Sequence, residues 1–229
     1  MLTKRIIPVL TVKDGTLVKT TKFDKENARP VSSPISATQI FEGRGVDELI
    51  LIDIDTDKPN FKLLEKFVEC CFMPLTIGGG IRTIEDITQL LRAGADKVAI
   101  KTKLQDREFI REAVDRFGSQ CLVAVIDYFD NPMRHAIYYE DWGVGEILLQ
   151  AINRDGTMSG YDLPAIYGLS KVLKIPIIAC GGCGSPDDAL KAIEAGADAV
   201  AASSMYLFKN ITPQDVNNYL FEHNINVRR

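Results

Sequence analysis

The sequence predicts a closed (β/α)8 barrel of the TIM-barrel class, built from two similar half-barrels as a single domain over residues 1–229. Three observations predict it. Eight short apolar runs alternate with helical patterns, and each run is apolar on both faces, as parallel strands covered by helices require. An internal repeat divides the chain: Leu91-Arg92-Ala93-Gly94-Ala95-Asp96-Lys97-Val98-Ala99 returns as Ile193-Glu194-Ala195-Gly196-Ala197-Asp198-Ala199-Val200-Ala201, and Gly79-Gly80 returns as Gly181-Gly182 at the same offset. Polar residues follow the apolar runs directly, at the strand ends where such barrels keep their chemistry. An open doubly wound sheet is the rival architecture. A half of four strands leaves two bare sheet edges, whereas two halves closing on each other leave none.

The predicted strands are residues 6–10, 49–54, 75–77, 98–100, 122–126, 147–152, 175–179 and 199–202. The predicted helices are residues 36–42, 61–70, 84–92, 108–117, 163–173, 186–194 and 212–222. Thr83 stands three residues before Asp86, and Ser185 precedes Pro186 and Asp188, both helix-start patterns. Gly94 and Gly196 close two helices where a left-handed residue is expected. One crossover fails on length. Residues 135–139 read as extended, and no complete helix of about 10–14 residues then fits before Glu146. The expectation is a reduced or missing segment near residue 140.

Composition narrows the function. Hydrophobic residues at 46% exclude a disordered chain. A net charge of -4, with Lys and Arg scattered, argues against a nucleic-acid surface. The five cysteines include one CxxC pair, Cys180 and Cys183, without a second pair or a nearby histidine. No metal and no cofactor is therefore expected. The first nine residues lack the apolar run of a signal peptide, and no stretch approaches the ~20 apolar residues that cross a bilayer. The expectation is a cytoplasmic protein with no membrane partner.

At the strand ends, the Gly79-Gly80 and Gly181-Gly182 turns let backbone N–H groups approach an anion. With Lys101 and Thr102 after the fourth strand and Ser203 and Ser204 after the eighth, they read either as two phosphate sites or as tight turns alone. Asp127 ends the fifth strand and is the candidate catalytic base, with a strand-end cap as its plain alternative. Thr11 occupies the corresponding place in the first half, and a hydroxyl is a poor proton donor at neutral pH. Asp14, Lys19, Asn153 and Asp155 complete this face. Residues 13–34 exceed an ordinary loop and read as a mobile lid or a plain surface excursion. At the other end of the strands, Arg5, Glu48, Lys97 and Glu146 would ring the barrel floor, either as an ion-paired plug or as a gate for a small neutral molecule.

Several stretches together carry a family resemblance. They include Lys4-Arg5-Ile6-Ile7-Pro8, Val12-Lys13-Asp14-Gly15, Gly78-Gly79-Gly80-Ile81, Gly94-Ala95-Asp96-Lys97-Val98, Asn153-Arg154-Asp155-Gly156-Thr157 and Gly160-Tyr161-Asp162. Nearly end to end, the chain resembles the cyclase subunit family of imidazole glycerol phosphate synthase, a glutamine amidotransferase of histidine biosynthesis. The resemblance implies a glutaminase subunit docked at the N-terminal barrel face and ammonia passing through the floor gate to a bisphosphate substrate on the opposite face. It implies Asp127 as the general base, and Lys19 and Asp155 fall on family positions. It also exposes departures: Thr11 stands where the family has its acid, Lys101 where it has an asparagine, Asn153 where it has an aspartate, and the segment around Glu140 is shorter. The departures resemble a paralogue of surface-polysaccharide gene sets, which implies an alternative role. With its glutaminase, the chain would supply ammonia to a separate sugar amidotransferase of lipopolysaccharide synthesis. Losing a positioned acid typically costs ~10²–10⁴-fold, so cyclase turnover is expected to be low or absent.

Overall fold

The computed structural model describes residues 3–228. Its framework is eight parallel strands: β1 (Arg5–Lys13), β4 (Leu49–Asp53), β5 (Leu75–Gly78), β6 (Lys97–Ile100), β7 (Leu122–Tyr128), β8 (Glu146–Ala151), β9 (Ile177–Cys180) and β10 (Ala199–Ala202). Each pairs with the next in sequence, and β10 returns to β1 in the register Arg5↔Ala199 to Pro8↔Ala202. The sheet is therefore closed, and the open alternative is excluded. The first residues of β1 pair with β10, whereas Val9 to Val12 pair with Ile50 to Asp53 of β4.

Alternation along the strands divides the core in two. Ile7 and Val9 point into the barrel with Ile50, Ala99, Val123, Leu148 and Ile178. Ile6 and Leu10 point outward into the larger layer beneath the helices. That layer is covered by α1 (Pro34–Glu42), α2 (Phe61–Val68), α3 (Ile84–Arg92), α4 (Arg107–Phe117), α5 (Met133–Asp141), α6 (Leu163–Ser170), α7 (Pro186–Glu194), the short α8 (Ser204–Phe208) and α9 (Pro213–Glu222). Thr83 and Asp86 form a reciprocal capping box, and Ser185 accepts from the Asp188 amide. No described helix is long and apolar enough to cross a membrane.

The repeat has a structural cause. Asp96 Oδ2 accepts from the Leu75 amide at 2.8 Å, and Asp198 Oδ2 accepts from the Ile177 amide at 3.1 Å. Each aspartate thus ties the start of its own strand to the start of the strand before it. Gly196 lies at φ +111, and a Cβ there would meet Ser170 at 2.4 Å, so only glycine lets the turn pass under α6.

Two expectations are corrected. Residues 135–139 are not extended; they form the middle of α5, which fits between β7 and β8 without an irregular link. Burial decides it: Ala136 and Tyr139 are three apart and share the inward face of the helix, overriding the strand preference of Ile137, Tyr138 and Tyr139. Glu140 then accepts from the Lys174 and Ile175 amides at 2.6 and 3.0 Å, fastening the end of α5 to the link that leads into β9. Residues 13–34 are also more ordered than a loop. They hold β2 (Thr16–Lys19) and β3 (Arg29–Ser32), an antiparallel extension of β1 that folds over the barrel mouth.

Candidate active site

At the floor, the four charged residues preceding or opening the strands form a closed ring of alternating sign. Arg5 reaches Glu48 at 2.7 Å and Glu146 at 3.1 Å, and Lys97 reaches Glu48 at 3.2 Å and Glu146 at 3.1 Å. The Thr76 hydroxyl donates to Glu48 Oε1 at 2.8 Å. Glu48 is the most buried member, with its side chain 3% exposed, and it has the most partners. Burial opposes the Arg5 charge, but Glu146 and Glu48 outweigh it and raise its pKa. Above the ring the barrel interior is apolar up to the rim.

At the rim lie two neighbouring cavities, and Asp127 and Phe23 line both. The first, of about 50 Å³, is bounded by Thr11, Lys19, Gln150, Asp155, Gly181, Gly182, Ser203 and Ser204. The second, of about 160 Å³, is bounded by Lys25, Asp53, Gly79, Gly80, Lys101 and Thr102. The glycines are required here. A Cβ on Gly182 would stand 2.2 Å from the Gly160 carbonyl, and one on Gly79 would stand 2.4 Å from the Asp53 carbonyl.

Asp127 is largely buried at the end of β7, and burial raises its pKa above the usual carboxylate range despite Lys101. The Lys101 ammonium donates to Asp127 Oδ2 and lies 5.5 Å from the Phe23 ring centre. Lys19 is 7% exposed on β2, and burial lowers its pKa. Its ammonium makes no hydrogen bond or salt bridge with a described residue, although the Asp155 charge offsets part of the burial. The Asp155 carboxylate accepts from Thr20 at 2.8 Å and Gln150 at 3.2 Å. The Ser203 hydroxyl donates to the Val9 carbonyl.

The structure therefore brings together Thr11, Lys19, Asp127 and Asp155 with both glycine pairs, Lys101, Thr102, Ser203 and Ser204. Two expected members stand apart. Asp14 is exposed at the β1–β2 turn, and Asn153 donates to the Phe129 carbonyl outside both cavities. Sequence reasoning missed Gln150, Phe23 and Lys25. Gln150 carried a readable signal, because it is a single polar residue inside the apolar run of β8. Phe23 and Lys25 depend on the hairpin fold and carried none.

The family model described as "Histidine biosynthesis protein" matches residues 5–212. A Campylobacter jejuni protein provisionally named imidazole glycerol phosphate synthase subunit hisF2 is 40% identical, with 100% of this chain and 99% of that protein covered. The chain belongs to the HisF family. Two further members are the imidazole glycerol phosphate synthase subunits HisF of Methanocaldococcus jannaschii and Natranaerobius thermophilus. They are 37% and 36% identical, with 100% of this chain and 99% and 100% of those proteins covered. The alignment with the Campylobacter HisF relative runs to 248 positions against 229 residues here, so that relative carries residues with no counterpart in this chain.

Proposed function

We propose that this chain is the ammonia-receiving barrel subunit of a glutamine amidotransferase of the imidazole glycerol phosphate synthase type. One observation carries the reading: an ion-paired ring of alternating charge closes the floor of an apolar barrel whose opposite rim is polar. Neutral ammonia crosses an apolar interior readily, whereas ammonium pays a large desolvation cost, so the ring and interior together select the reactive form. A glutaminase subunit would dock on the N-terminal face around Arg5. Ammonia would enter when the Lys97 arm swings aside and would meet a phosphorylated small molecule held at the rim beside Asp127.

Two observations favour a second reading of the chemistry. Thr11 supplies no acid, and Asp127 is already engaged by Lys101, so the positioned acid–base pair needed for cyclisation is incomplete. In this reading, cyclase turnover is low and the ammonia is passed, with the glutaminase, to a separate sugar amidotransferase.

The test uses the protein with its co-expressed glutaminase, the histidine-pathway substrate and either glutamine or ammonia. Turnover at the rate of an ordinary cyclase supports full cyclase function and rejects the second reading. Ammonia delivery without cyclisation supports the second. Glutamine-driven ammonia transfer that is unchanged in Lys97→Ala rejects the gate.

A further inference from the structure

Three lysines near the rim are tied down through their charge. Lys13 pairs with Asp55 at 3.2 Å, Lys101 pairs with Asp127, and the Lys25 ammonium donates to the Ile54 carbonyl. Lys19 differs. It lines the smaller cavity, is almost wholly buried, and has no described hydrogen-bond acceptor for its ammonium. Burial lowers its pKa, and the charge of Asp155 offsets only part of that. Desolvation therefore raises the share of unprotonated amine, which is a nucleophile toward carbonyl carbon. Cys180 lines the same cavity, but burial pushes its thiol well up and keeps it unreactive. The two carboxylates of this cavity, Asp127 and Asp155, decide what the amine can take up. Carbon dioxide would leave a carbamate, a third negative charge beside them. A carbonyl compound leaves an iminium, a positive charge that both of them stabilise.

We infer that the Lys19 amine condenses with a short-chain hydroxylated aldehyde or ketone in the smaller cavity, forming an iminium. The Nζ lone pair adds to the carbonyl carbon, and an Nζ proton moves to the carbonyl oxygen, giving a neutral carbinolamine. Asp127, raised in pKa by burial, then protonates the hydroxyl group. That group leaves as water while the nitrogen lone pair closes the C=N bond. The Thr11 hydroxyl on the same wall offers the ligand a neutral hydrogen bond. The inference shares with the proposed function only the rim as the ligand face. Its test uses neither ammonia nor the glutaminase, so the two readings fail separately.

The full chain is incubated at neutral pH with dihydroxyacetone and cyanoborohydride, which reduces an iminium to a stable secondary amine, and is then mapped by peptide mass spectrometry. One adduct is expected on Lys19, forming about tenfold faster than on any exposed lysine, because exposed lysines stay protonated at this pH. Asp127→Asn should slow the Lys19 adduct by about tenfold or more. Lys19→Arg, which keeps the cation, should lose the fast adduct altogether. Labelling of Lys19 no faster than of the exposed lysines overturns the inference, as does first labelling at Lys101. A fast single adduct that persists in Lys19→Arg, or an undiminished rate in Asp127→Asn, overturns it too. Should either variant not fold, the peptide map of the unaltered protein decides.

Discussion

Replacing Lys97 with Met tests how the floor ring is balanced. Lys97 touches both oxygens of Glu48 at 3.2 Å and Glu146 at 3.1 Å, and all three side chains are less than one-fifth exposed. Methionine keeps the length of the arm and removes its charge. Arg5 is then left facing two carboxylates, so the ring carries one uncompensated buried negative charge. Removing one partner of a buried pair costs roughly 3–5 kcal/mol, and the remaining contacts to Arg5 and Thr76 place this case near the lower end, at about 3 kcal/mol. For a domain of this size that corresponds to a fall in Tm of roughly 6–12 °C. Adding Glu146→Gln removes the excess charge and leaves an intact Arg5–Glu48 pair. The double variant should therefore recover at least about 1 kcal/mol relative to the sum of the singles. Urea unfolding of the four proteins gives the cycle directly. A Lys97→Met protein melting within 1 °C of the parent, or strictly additive losses, would refute the balanced-ring argument.

Lys101→Met removes the cation that partly offsets burial at Asp127, so the folded-state pKa of Asp127 rises further. The sign follows: an acid whose folded pKa lies above its unfolded value imposes a penalty that is absent at low pH and grows as pH rises through that interval. Stability of Lys101→Met should fall more steeply between pH 4 and pH 7 than that of the parent, and Asp127→Asn should abolish this extra slope; urea midpoints across the range check it. Gly182→Ala, with its Cβ forced against the Gly160 carbonyl at φ +102, should cost at least about 2 kcal/mol, whereas Gly15→Ala, with open space around it at φ +72, should cost only about 1 kcal/mol by chemical denaturation. Glu140→Ala strips the acceptor from two backbone amides and should cost about 2 kcal/mol, while Glu140→Gln, which retains one accepting oxygen, should lose less than half as much in the same measurement.

Much of the barrel was legible because its signals are local and repeated. Caps at Thr83 and Ser185, the Gly-Ala-Asp turns and the doubly buried strands each follow from a few neighbouring residues, and α3, α7 and β10 begin and end where those signals place them. The floor ring was legible for the same reason, since each charge sits at the start of a strand and closure alone brings them together. What stayed hidden depends on contacts between distant segments. The stretch around Tyr138 prefers a strand by composition and becomes helical only because Ala136 and Tyr139 find the barrel wall. The hairpin strands β2 and β3 have four residues each, one containing Pro30, and nothing local marks them. The pairing of Lys101 with Asp127 and the isolation of Lys19 are equally invisible, because both depend on how the mouth is covered.

The strand that delivers Lys19 is continuous with the barrel wall through β1, and just past it the chain crosses the opening to grip the second half of the molecule. Thr20 donates to Asp155 at 2.8 Å, and the Lys22 amide donates to the Asp155 carbonyl at 2.8 Å. The hairpin is thus a strap, paired to β1 of one half-barrel and fastened to Asp155 of the other. The carboxylate that lines the first cavity is thus held by the same segment that carries Lys19 to it, so the two opposite charges of that chamber are set by one piece of chain.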